Sequence, residues 1–409
     1  MGSPAQIWFA DLLVEPLRNG IYKPKQYHGR GASIVNMGEL FANPRLGRVP
    51  MRRLDVNDRE LDRFGVRAGD LLFARRSLVA EGAGKCCLVT DADAATVFES
   101  SIIRARPNPG QADSAYLFYF FASPLGIHLL DTIRRHVAVA GITGSDLARL
   151  EIPLPGLRAQ SRIAEILGAL DDKIELNRRM SETLEATARA LFKSWFVDLD
   201  NPGAWRQDTW GAGTLADVAD LNPEAWPSRG RPSVLRYVEL SGTKWGRIDV
   251  VTNYEAPDAP SRAQRVLRSG DTIIGTVRPG NGSYAMVARE GLTGSTGFAQ
   301  LRPRSPRDAA FVYLASTGRD NIEALAHAAD GGAYPAIRPA LVVATPVVLA
   351  DPQTLDAFSA AASPLLERAA RAEDEAGTLA AMRDTLLPRL ISGGLRIEDA
   401  EGVVAAVSA

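Results

Sequence analysis

The chain has 409 residues, of which 46% are hydrophobic and 23% charged, and its formal net charge is −1. At roughly 100–200 residues per domain, this length indicates about two to four folded domains, and the composition excludes a chain that is disordered throughout. Apolar runs are only a few residues long and the first residues show no signal-peptide pattern, so we expect a cytoplasmic protein with no membrane span.

Cysteine and histidine are too sparse to predict a disulfide or a structural metal site. The two cysteines, Cys86 and Cys87, are adjacent, and neighbouring cysteines form at best a strained disulfide. None of the four histidines has a spacing typical of metal ligands. The sequence therefore predicts reduced cysteines and no bound metal.

The first block, residues 1–150, combines a net charge of +4 with a pattern of short strands. Glycines separate β-rich runs over 70–73, 86–89 and 101–104, and a helical pattern follows around 116–135. This mixture predicts an α+β domain.

The next block, residues 151–200, is acidic and carries one long heptad pattern. Seam residues recur in steps of four and three for more than four heptads, although the seam positions Asn177 and Ser181 are polar. A helix over 158–196 would be a rod of about 60 Å at ~1.5 Å per residue. The large aliphatic residues of this predicted seam are Ile163, Leu167, Leu170, Ile174, Leu184 and Leu191.

The second half of the chain repeats this order at an offset of about 200 residues. Gly69-Asp70 is echoed by Gly270-Asp271, and β-rich runs follow both pairs. Residues 201–350 are again basic, at +2, and residues 351–409 are acidic, at −5, with a second heptad pattern.

Pro364 lies within this second heptad pattern and predicts a kink in the helix or the start of its straight part. The large residues of the second seam include Leu365, Leu379, Leu386 and Leu390. Shared order and spacing indicate an internal duplication, and the sustained heptads favour pairing of the two helices as a coiled coil.

No complete catalytic motif is present. The Gly-rich stretch over 82–85 lacks the first glycine and the final Ser/Thr of a phosphate-binding loop, because Val79 and Cys86 occupy those places. Residues 222–224 begin like the Asn-Pro-Pro-aromatic motif of adenine methyltransferases but do not continue as one. The sequence thus predicts no catalytic residues and no cofactor bound by this chain.

Polar, Gly-rich loops in both basic blocks carry side chains suited to nucleic-acid recognition. Arg, Asn and Ser hydrogen-bond to base edges, and Lys neutralises phosphates. A single such residue more often belongs to an ordinary solvated loop, but equivalent sets in a duplicated module favour binding. The predicted DNA-binding residues are Lys23, Lys25, Arg30, Arg75, Arg76, Ser77, Lys85 and Arg104 in the first block, and Arg278, Asn281, Ser283 and Tyr284 in the second.

Together these features resemble the specificity (S) subunit of type I restriction-modification systems. Residues 152–164, 167–177 and 190–196 are similar to the family's first spacer helix, and residues 382–393 to its second. One departure is Ala159-Gln160, where the family commonly has Glu-Gln. The resemblance implies an α+β fold in which two similar α/β target-recognition domains, internally duplicated, are joined by two long antiparallel coiled-coil helices. The implied segments are target-recognition domain 1 (1–156), the first spacer helix (157–199), target-recognition domain 2 (200–350), the second spacer helix (351–394) and a C-terminal tail (395–409).

The resemblance also implies a function and partners. Each domain would recognise one half of a bipartite site in double-stranded DNA, and the helices would set the spacer and dock methylation subunits, expected to be two. Those subunits would carry S-adenosylmethionine, and a translocase-endonuclease subunit is the expected partner for restriction. Two alternatives stay open at this point: the recognition part of another DNA methylase system, and a protein-binding scaffold with no DNA role.

Overall fold

The computed structural model describes residues 5–135, 140–198, 210–227, 230–329 and 335–408. Two compact units emerge from the contacts between residues. The first unit comprises residues 1–173 and 379–409, and the second comprises residues 174–378. The boundaries between units fall inside the two longest helices, so each of these helices contributes a segment to both units.

Short strands and short helices make up most of the first unit. Its strands are β1 (Ala5–Trp8), β2 (Arg18–Asn19), β3 (His28–Val35), β4 (Arg45–Leu46), β5 (Arg52–Leu54), β6 (Leu71–Ala74), β7 (Arg76–Ser77), β8 (Cys86–Val89), β9 (Thr96–Phe98), β10 (Ile102–Ala105), β11 (Ala140–Gly141) and β12 (Glu151–Leu154). Its short helices are α1 (Met37–Ala42), α2 (Asp58–Phe64), α3 (Ser114–Ala122), α4 (Pro124–Ile133) and α5 (Gly144–Ala148).

A five-stranded sheet of order β2-β10-β6-β8-β4 lies at the centre of the first unit. Its strands β6, β8 and β10 are buried along their whole length, as expected for nearly continuous apolar runs. A second sheet has the order β5-β3-β9, with β3 parallel to β9. Phe9, Phe73 and Phe121 pack edge to face with ring centres 5.0–5.9 Å apart, which joins the central sheet to α3.

The second unit is built from a similar set of elements. Its strands are β13 (Gly211–Thr214), β14 (Ala219–Leu221), β15 (Val234–Val238), β16 (Thr243–Lys244), β17 (Arg247–Ile248), β18 (Thr252–Glu255), β19 (Ala263–Leu267), β20 (Thr272–Gly275), β21 (Tyr284–Met286), β22 (Leu292–Ser295), β23 (Phe298–Pro303) and β24 (Pro346–Leu349). Its short helices are α7 (Ala309–Ser316), α8 (Arg319–His327) and α9 (Pro339–Val343).

Sheet topology confirms the internal duplication predicted from the sequence. The order β14-β23-β20-β21 of the second unit matches β2-β10-β6-β8 of the first. The parallel pair β15–β22 matches β3–β9, and the antiparallel pair β13–β24 matches β1–β12. Each copy of this arrangement, from β1 to β12 and from β13 to β24, is called a module below.

Two helices of 40 residues follow the modules, α6 (Leu157–Phe196) and α10 (Pro352–Ile391). Most of the predicted seam residues are buried, namely Ile163, Leu167, Leu170, Ile174, Leu379, Leu386 and Leu390. Leu184, Leu191 and Leu365 are only half-buried, and Leu366 occupies the deeper position beside Leu365. Helix α10 is continuous through Pro364.

Within the second unit the two helices run antiparallel. The rings of Phe192 on α6 and Phe358 on α10 lie 6.1 Å apart. Further back along α6, Ser181 hydrogen-bonds to Glu373 on α10. The residue numbers of the contacting side chains therefore decrease along α10 as they increase along α6. This is the antiparallel arrangement that the predicted coiled coil requires.

Within the predicted C-terminal tail over 395–409, residues Ile397–Ser408 form a helix, α11. Ala400 is buried, and Arg162 on α6 donates from Nε to Glu401 at 3.1 Å. The segment is thus a docked part of the first unit.

Candidate nucleic-acid interface

Each module places a buried aspartate directly after a glycine, at the start of its central strand. Gly69 and Gly270 have φ angles of +89° and +88°, which glycine adopts without strain. The carboxylates of Asp70 and Asp271 are buried, and each accepts a hydrogen bond from the backbone N–H three residues earlier, at 2.8 and 2.7 Å. The Gly-Asp pair therefore starts β6 and β20 from a fixed turn.

An arginine forms an ion pair with each buried carboxylate. Arg106 donates to Asp70 from Nε at 2.7 Å and from Nη2 at 2.9 Å. Arg302 donates to Asp271 in the same two-point way, at 2.9 and 3.0 Å. Hydrogen bonding to Asp70 raises the pKa of Arg106, and hydrogen bonding to Asp271 raises that of Arg302. Both guanidinium groups are thus held charged by the fold.

A second carboxylate completes each cluster. Glu15 accepts from Arg106 Nη1 at 2.7 Å, and Glu224 accepts from Arg302 Nη1 at 2.8 Å. Hydrogen bonds from Arg268 and Arg302 lower the pKa of Glu224 to about 2. We call each Glu-Arg-Asp set an anchor, since it ties the segment next to an edge strand, β2 or β14, to the middle of the same sheet.

Arg104 is buried beside the anchor of the first module and bonds to its Glu15, so its prediction as a DNA-binding residue is wrong. Its side chain is buried and donates to the Gly65 carbonyl and, at 2.8 Å, to Glu15. Gln300 has the equivalent place in the second module, where it donates to Asp271 at 2.7 Å. Burial lowers the pKa of Arg104. A polar side chain at this point serves the fold in both modules.

In the first module, the loop after β6 brings four predicted residues together. Arg76 and Lys85 are exposed, whereas Arg75 and Ser77 are half-buried. Strand β7, which contains Arg76 and Ser77, pairs with β11 and holds the start of the loop. Lys85 Nζ lies 5.4 Å from the ring centre of Phe41. We call residues 75–85 the first loop.

The other predicted cations of the first module lie in or before β3, on the β5-β3-β9 sheet. Lys23 donates to the Glu60 carboxylate at 2.6 Å and to the Asp55 carbonyl at 2.7 Å, and little of its side chain is exposed. The charge of Lys23 is thus paired within the fold, and its role as a DNA contact stays a prediction. Arg30 is exposed but bonds to Asp55 at 2.8 and 3.0 Å, and Lys25 is exposed.

In the second module, the loop after β20 corresponds to the first loop. Arg278 and Asn281 are exposed and Ser283 is half-buried. Arg278 and Gly282 both have positive φ, at +47° and +71°, which gives the loop a tight left-handed turn. The backbone N–H of Arg278 donates to the Pro335 carbonyl at 2.8 Å, which fixes the start of the loop. We call residues 276–283 the second loop.

Tyr284 supports the second loop from beneath, so its predicted role as a direct DNA contact is wrong. The residue is buried, and burial raises the pKa of its hydroxyl. Its ring packs edge to face with Trp245, with centres 6.0 Å apart, and the guanidinium of Arg189 lies 5.9 Å from its centre.

Sequence reasoning missed the hairpin β16–β17, which lies beside the second loop. Lys244 and Trp245 are exposed at its turn. They line an open cavity of about 460 Å³ together with Asn281 and Ser283 of the second loop. The sequence signal that could have indicated this hairpin is an aromatic residue between a lysine and a glycine, in the order Lys244-Trp245-Gly246.

The described part of the chain contains no group of three or more His, Cys, Asp or Glu side chains placed to hold a metal ion. Cys86 and Cys87 are free and buried, and burial raises the pKa of the Cys87 thiol to about 12. Among the described residues, no single helix is long and apolar enough to cross a membrane. The helices α3 and α4 pass that test only as a pair, bent by 78°.

Comparison with known proteins shows which proteins this chain is similar to. Residues 60–186 match the model of the type I restriction modification DNA specificity domain. The chain is 29% identical over 189 residues to the type I restriction enzyme HindI specificity subunit of Haemophilus influenzae, covering 44% of this chain and 40% of that protein. It is 28% identical over 207 residues to the EcoKI specificity subunit of Escherichia coli, covering 49% and 44%. The chain thus spans less than half the length of these two curated relatives.

A solved structure has the same fold. The S subunit of a type I restriction-modification system from M. genitalium superposes with a TM-score of 0.62 over 94% of this chain and 95% of that one, at 18% identity. Fold and loops together define a protein with two similar modules and two long helices. The resemblance predicted from the sequence is confirmed: the chain is similar to type I restriction-modification specificity subunits, and residues 60–186 match the model of their DNA specificity domain.

Proposed function

We propose that this chain is the DNA sequence-recognition subunit of a type I restriction-modification complex. The observation that carries the proposal is the equivalence of the two loops. Exposed Arg76 and Arg278 lie on loops that leave equivalent strands, and both strands start from the same buried anchor. Two similar recognition surfaces in one chain suit a bipartite DNA site, with one half-site for each module.

The exposed side chains fit direct recognition of base edges. Arg76 and Arg278 offer the paired donors that match guanine O6 and N7, and Asn281 offers the donor and acceptor that match adenine. Lys85 and Lys244 are suited to phosphates, which position the protein without reading sequence. The anchors fix the start of the strand that leads into each loop.

In this proposal the catalytic steps are carried out by partner subunits. Two methylation subunits would carry S-adenosylmethionine and flip the target adenine, while this chain, itself non-catalytic, would supply specificity. A translocase-endonuclease subunit would join the complex for restriction. The long helices α6 and α10 would dock the methylation subunits and set the number of unread base pairs between the half-sites.

A selection experiment tests the proposal. The full chain, co-purified with its methylation subunits, is incubated with a library of randomised DNA duplexes, and bound duplexes are sequenced. We expect enrichment of two short motifs separated by a constant number of unspecified base pairs, with binding that weakens as salt rises. Binding without sequence preference, or no binding of duplex DNA, would contradict the proposal and favour a protein-binding scaffold.

A further inference from the structure

Trp245 combines a large exposed ring with a strained backbone. Trp245 is 53% exposed to solvent, and its backbone φ angle is +48°. Bulky residues rarely adopt this left-handed conformation, and such strain tends to occur at functional sites. Among the described residues, three non-glycine residues have positive φ, and two of them, Trp245 and Arg278, lie in adjacent turns of the second module.

The surrounding backbone holds the indole in one position. The Trp245 N–H donates to the Gly282 carbonyl at 2.6 Å, and the indole lies directly against Gly282. A Cβ on Gly282 would come within 2.6–2.7 Å of three ring atoms, so only glycine leaves room for the ring. The next residue, Gly246, donates to the Tyr284 carbonyl at 2.9 Å, and a Cβ there would lie 2.8 Å from the Tyr313 hydroxyl.

The cavity beside Trp245 has a mainly polar lining with one positive charge, and the Glu239 carboxylate just outside it accepts from the Ser241 hydroxyl at 2.6 Å. One lining residue, Lys244, is cationic and none carries a carboxylate. The lining residues are Leu240, Ser241, Thr243, Lys244, Trp245, Gly280, Asn281 and Ser283. Hydroxyl and amide groups supply neutral hydrogen-bonding partners around an apolar ring. This combination fits the groove of a DNA duplex better than an apolar protein surface.

The first module has an aromatic residue in a comparable setting, but it is not presented to solvent in the same way. Phe41 lies next to Gly82, where a Cβ would be 3.3 Å from the ring, and Lys85 lies over it. Phe41 is half-buried and packs against the apolar core of its module. The exposed indole is therefore a difference between the two modules, which suits a role in what the second module alone recognises.

We propose that Trp245 is a specificity-determining residue of the second module. Its indole makes an apolar contact with a base edge in the groove of duplex DNA, such as the methyl group of thymine, while Lys244 contacts a neighbouring phosphate. This inference rests on the proposed function, because it names a further contact of the same DNA-binding surface.

The test measures base preference at every position of the motif for the full chain with its methylation subunits. Trp245→Ala should reduce preference at one position of the second half-site by about tenfold and leave the first half-site unchanged. Trp245→Phe should retain part of that preference. Gly282→Ala, which keeps the indole but displaces it, should lose it as Trp245→Ala does.

Trp8→Ala is the matched control. Trp8 is 52% exposed, but it lies on β1 of the first unit and its indole N–H donates to Glu151 at 3.3 Å. This variant should leave both half-sites unchanged. Thermal unfolding of each variant separates loss of contact from loss of fold, and Trp245→Phe decides the matter if Trp245→Ala does not fold.

The outcomes distinguish this inference from the proposed function. If the unmodified chain selects a bipartite motif and all Trp245 variants select the same motif equally well, the inference is wrong and the proposed function stands. If the unmodified chain selects no motif, the proposed function fails. If Trp245→Ala alters retention of a partner subunit but no base preference, Trp245 belongs to a protein contact and the inference is overturned.

Discussion

At the scale of single residues, side chains of the same type have opposite roles in this chain. Arg104 and Arg76 lie in the same module, yet the first is buried beside the anchor and the second is exposed on the first loop. Residue type and local pattern could predict that arginines follow the Gly-Asp motif. They could not tell which would fold inward, because that depends on Glu15, which comes 89 residues before Arg104.

Replacement of these two arginines should separate stability from recognition. Arg104→Ala removes the buried hydrogen bonds to Glu15 and to the Gly65 carbonyl, while Arg106 still pairs with Glu15, and it should lower the free energy of unfolding by about 1–3 kcal/mol. Arg76→Ala should leave thermal unfolding unchanged and weaken selection of the first half-site. An Arg104→Ala variant that is as stable as the unmodified chain would contradict the structural assignment.

A similar replacement tests the second loop. Arg278→Ala should reduce discrimination at the second half-site by about 1–3 kcal/mol if the guanidinium contacts a base edge. Arg304→Ala is the control, because Arg304 is also exposed but pairs with Asp220 away from the loop. Equal weakening on all DNA sequences would instead identify Arg278 as a phosphate contact.

The lowered pKa of Glu224 predicts how stability depends on pH. Because its folded pKa, about 2, lies below its ordinary value of 4.5, the charged carboxylate stabilises the fold above about pH 5, and this stabilisation is lost as the pH falls toward 2. Glu224→Gln should therefore have a lower melting temperature than the unmodified chain at pH 7, with the difference shrinking on acidification. A difference that does not change with pH would show that Glu224 acts through packing and not through its charge.

At the scale of elements, the long helices were the most predictable part of the chain. A 3.5-residue period identifies which face of a helix is buried, and residues such as Leu167 and Leu386 are almost completely buried. The structure also buries Asn177 and Ser181, the two polar seam positions. Helix α11 was missed, because a short amphipathic segment is stabilised mainly by packing, here against α6, and not by its own pattern.

Insertion of residues in α6 tests whether this helix sets the DNA spacer. Four residues added between Arg178 and Ser181 lengthen the helix by about 6 Å and rotate its continuation by about 40°. We expect unchanged half-sites and a spacer longer by one or two base pairs, at ~3.4 Å per base pair. Two added residues would turn the apolar stripe to the wrong face and should unfold the helix pair. An unchanged spacer after the four-residue insertion would contradict this role of α6.

At the scale of the whole molecule, duplication is the organising feature, and sequence could predict it from a few shared motifs. Gly69-Asp70 and Gly270-Asp271 identified the equivalent strands correctly, because a buried turn tolerates few other residues. The loops themselves could not be matched in this way, since their sequences differ and their shape depends on backbone contacts such as that between Arg278 and Pro335. The fold was therefore more predictable than the residues of the interface.

The central claim is that each module recognises its own half of a bipartite DNA site, and a map of methylated adenines in the host genome tests it most directly. The map is made with the unmodified chain and with a chain whose residues 200–350 are replaced by those of another specificity subunit. We predict a two-part motif that depends on this chain, and after the exchange one half should change while the other half stays the same. A single continuous motif, or a change in both halves, would contradict the claim.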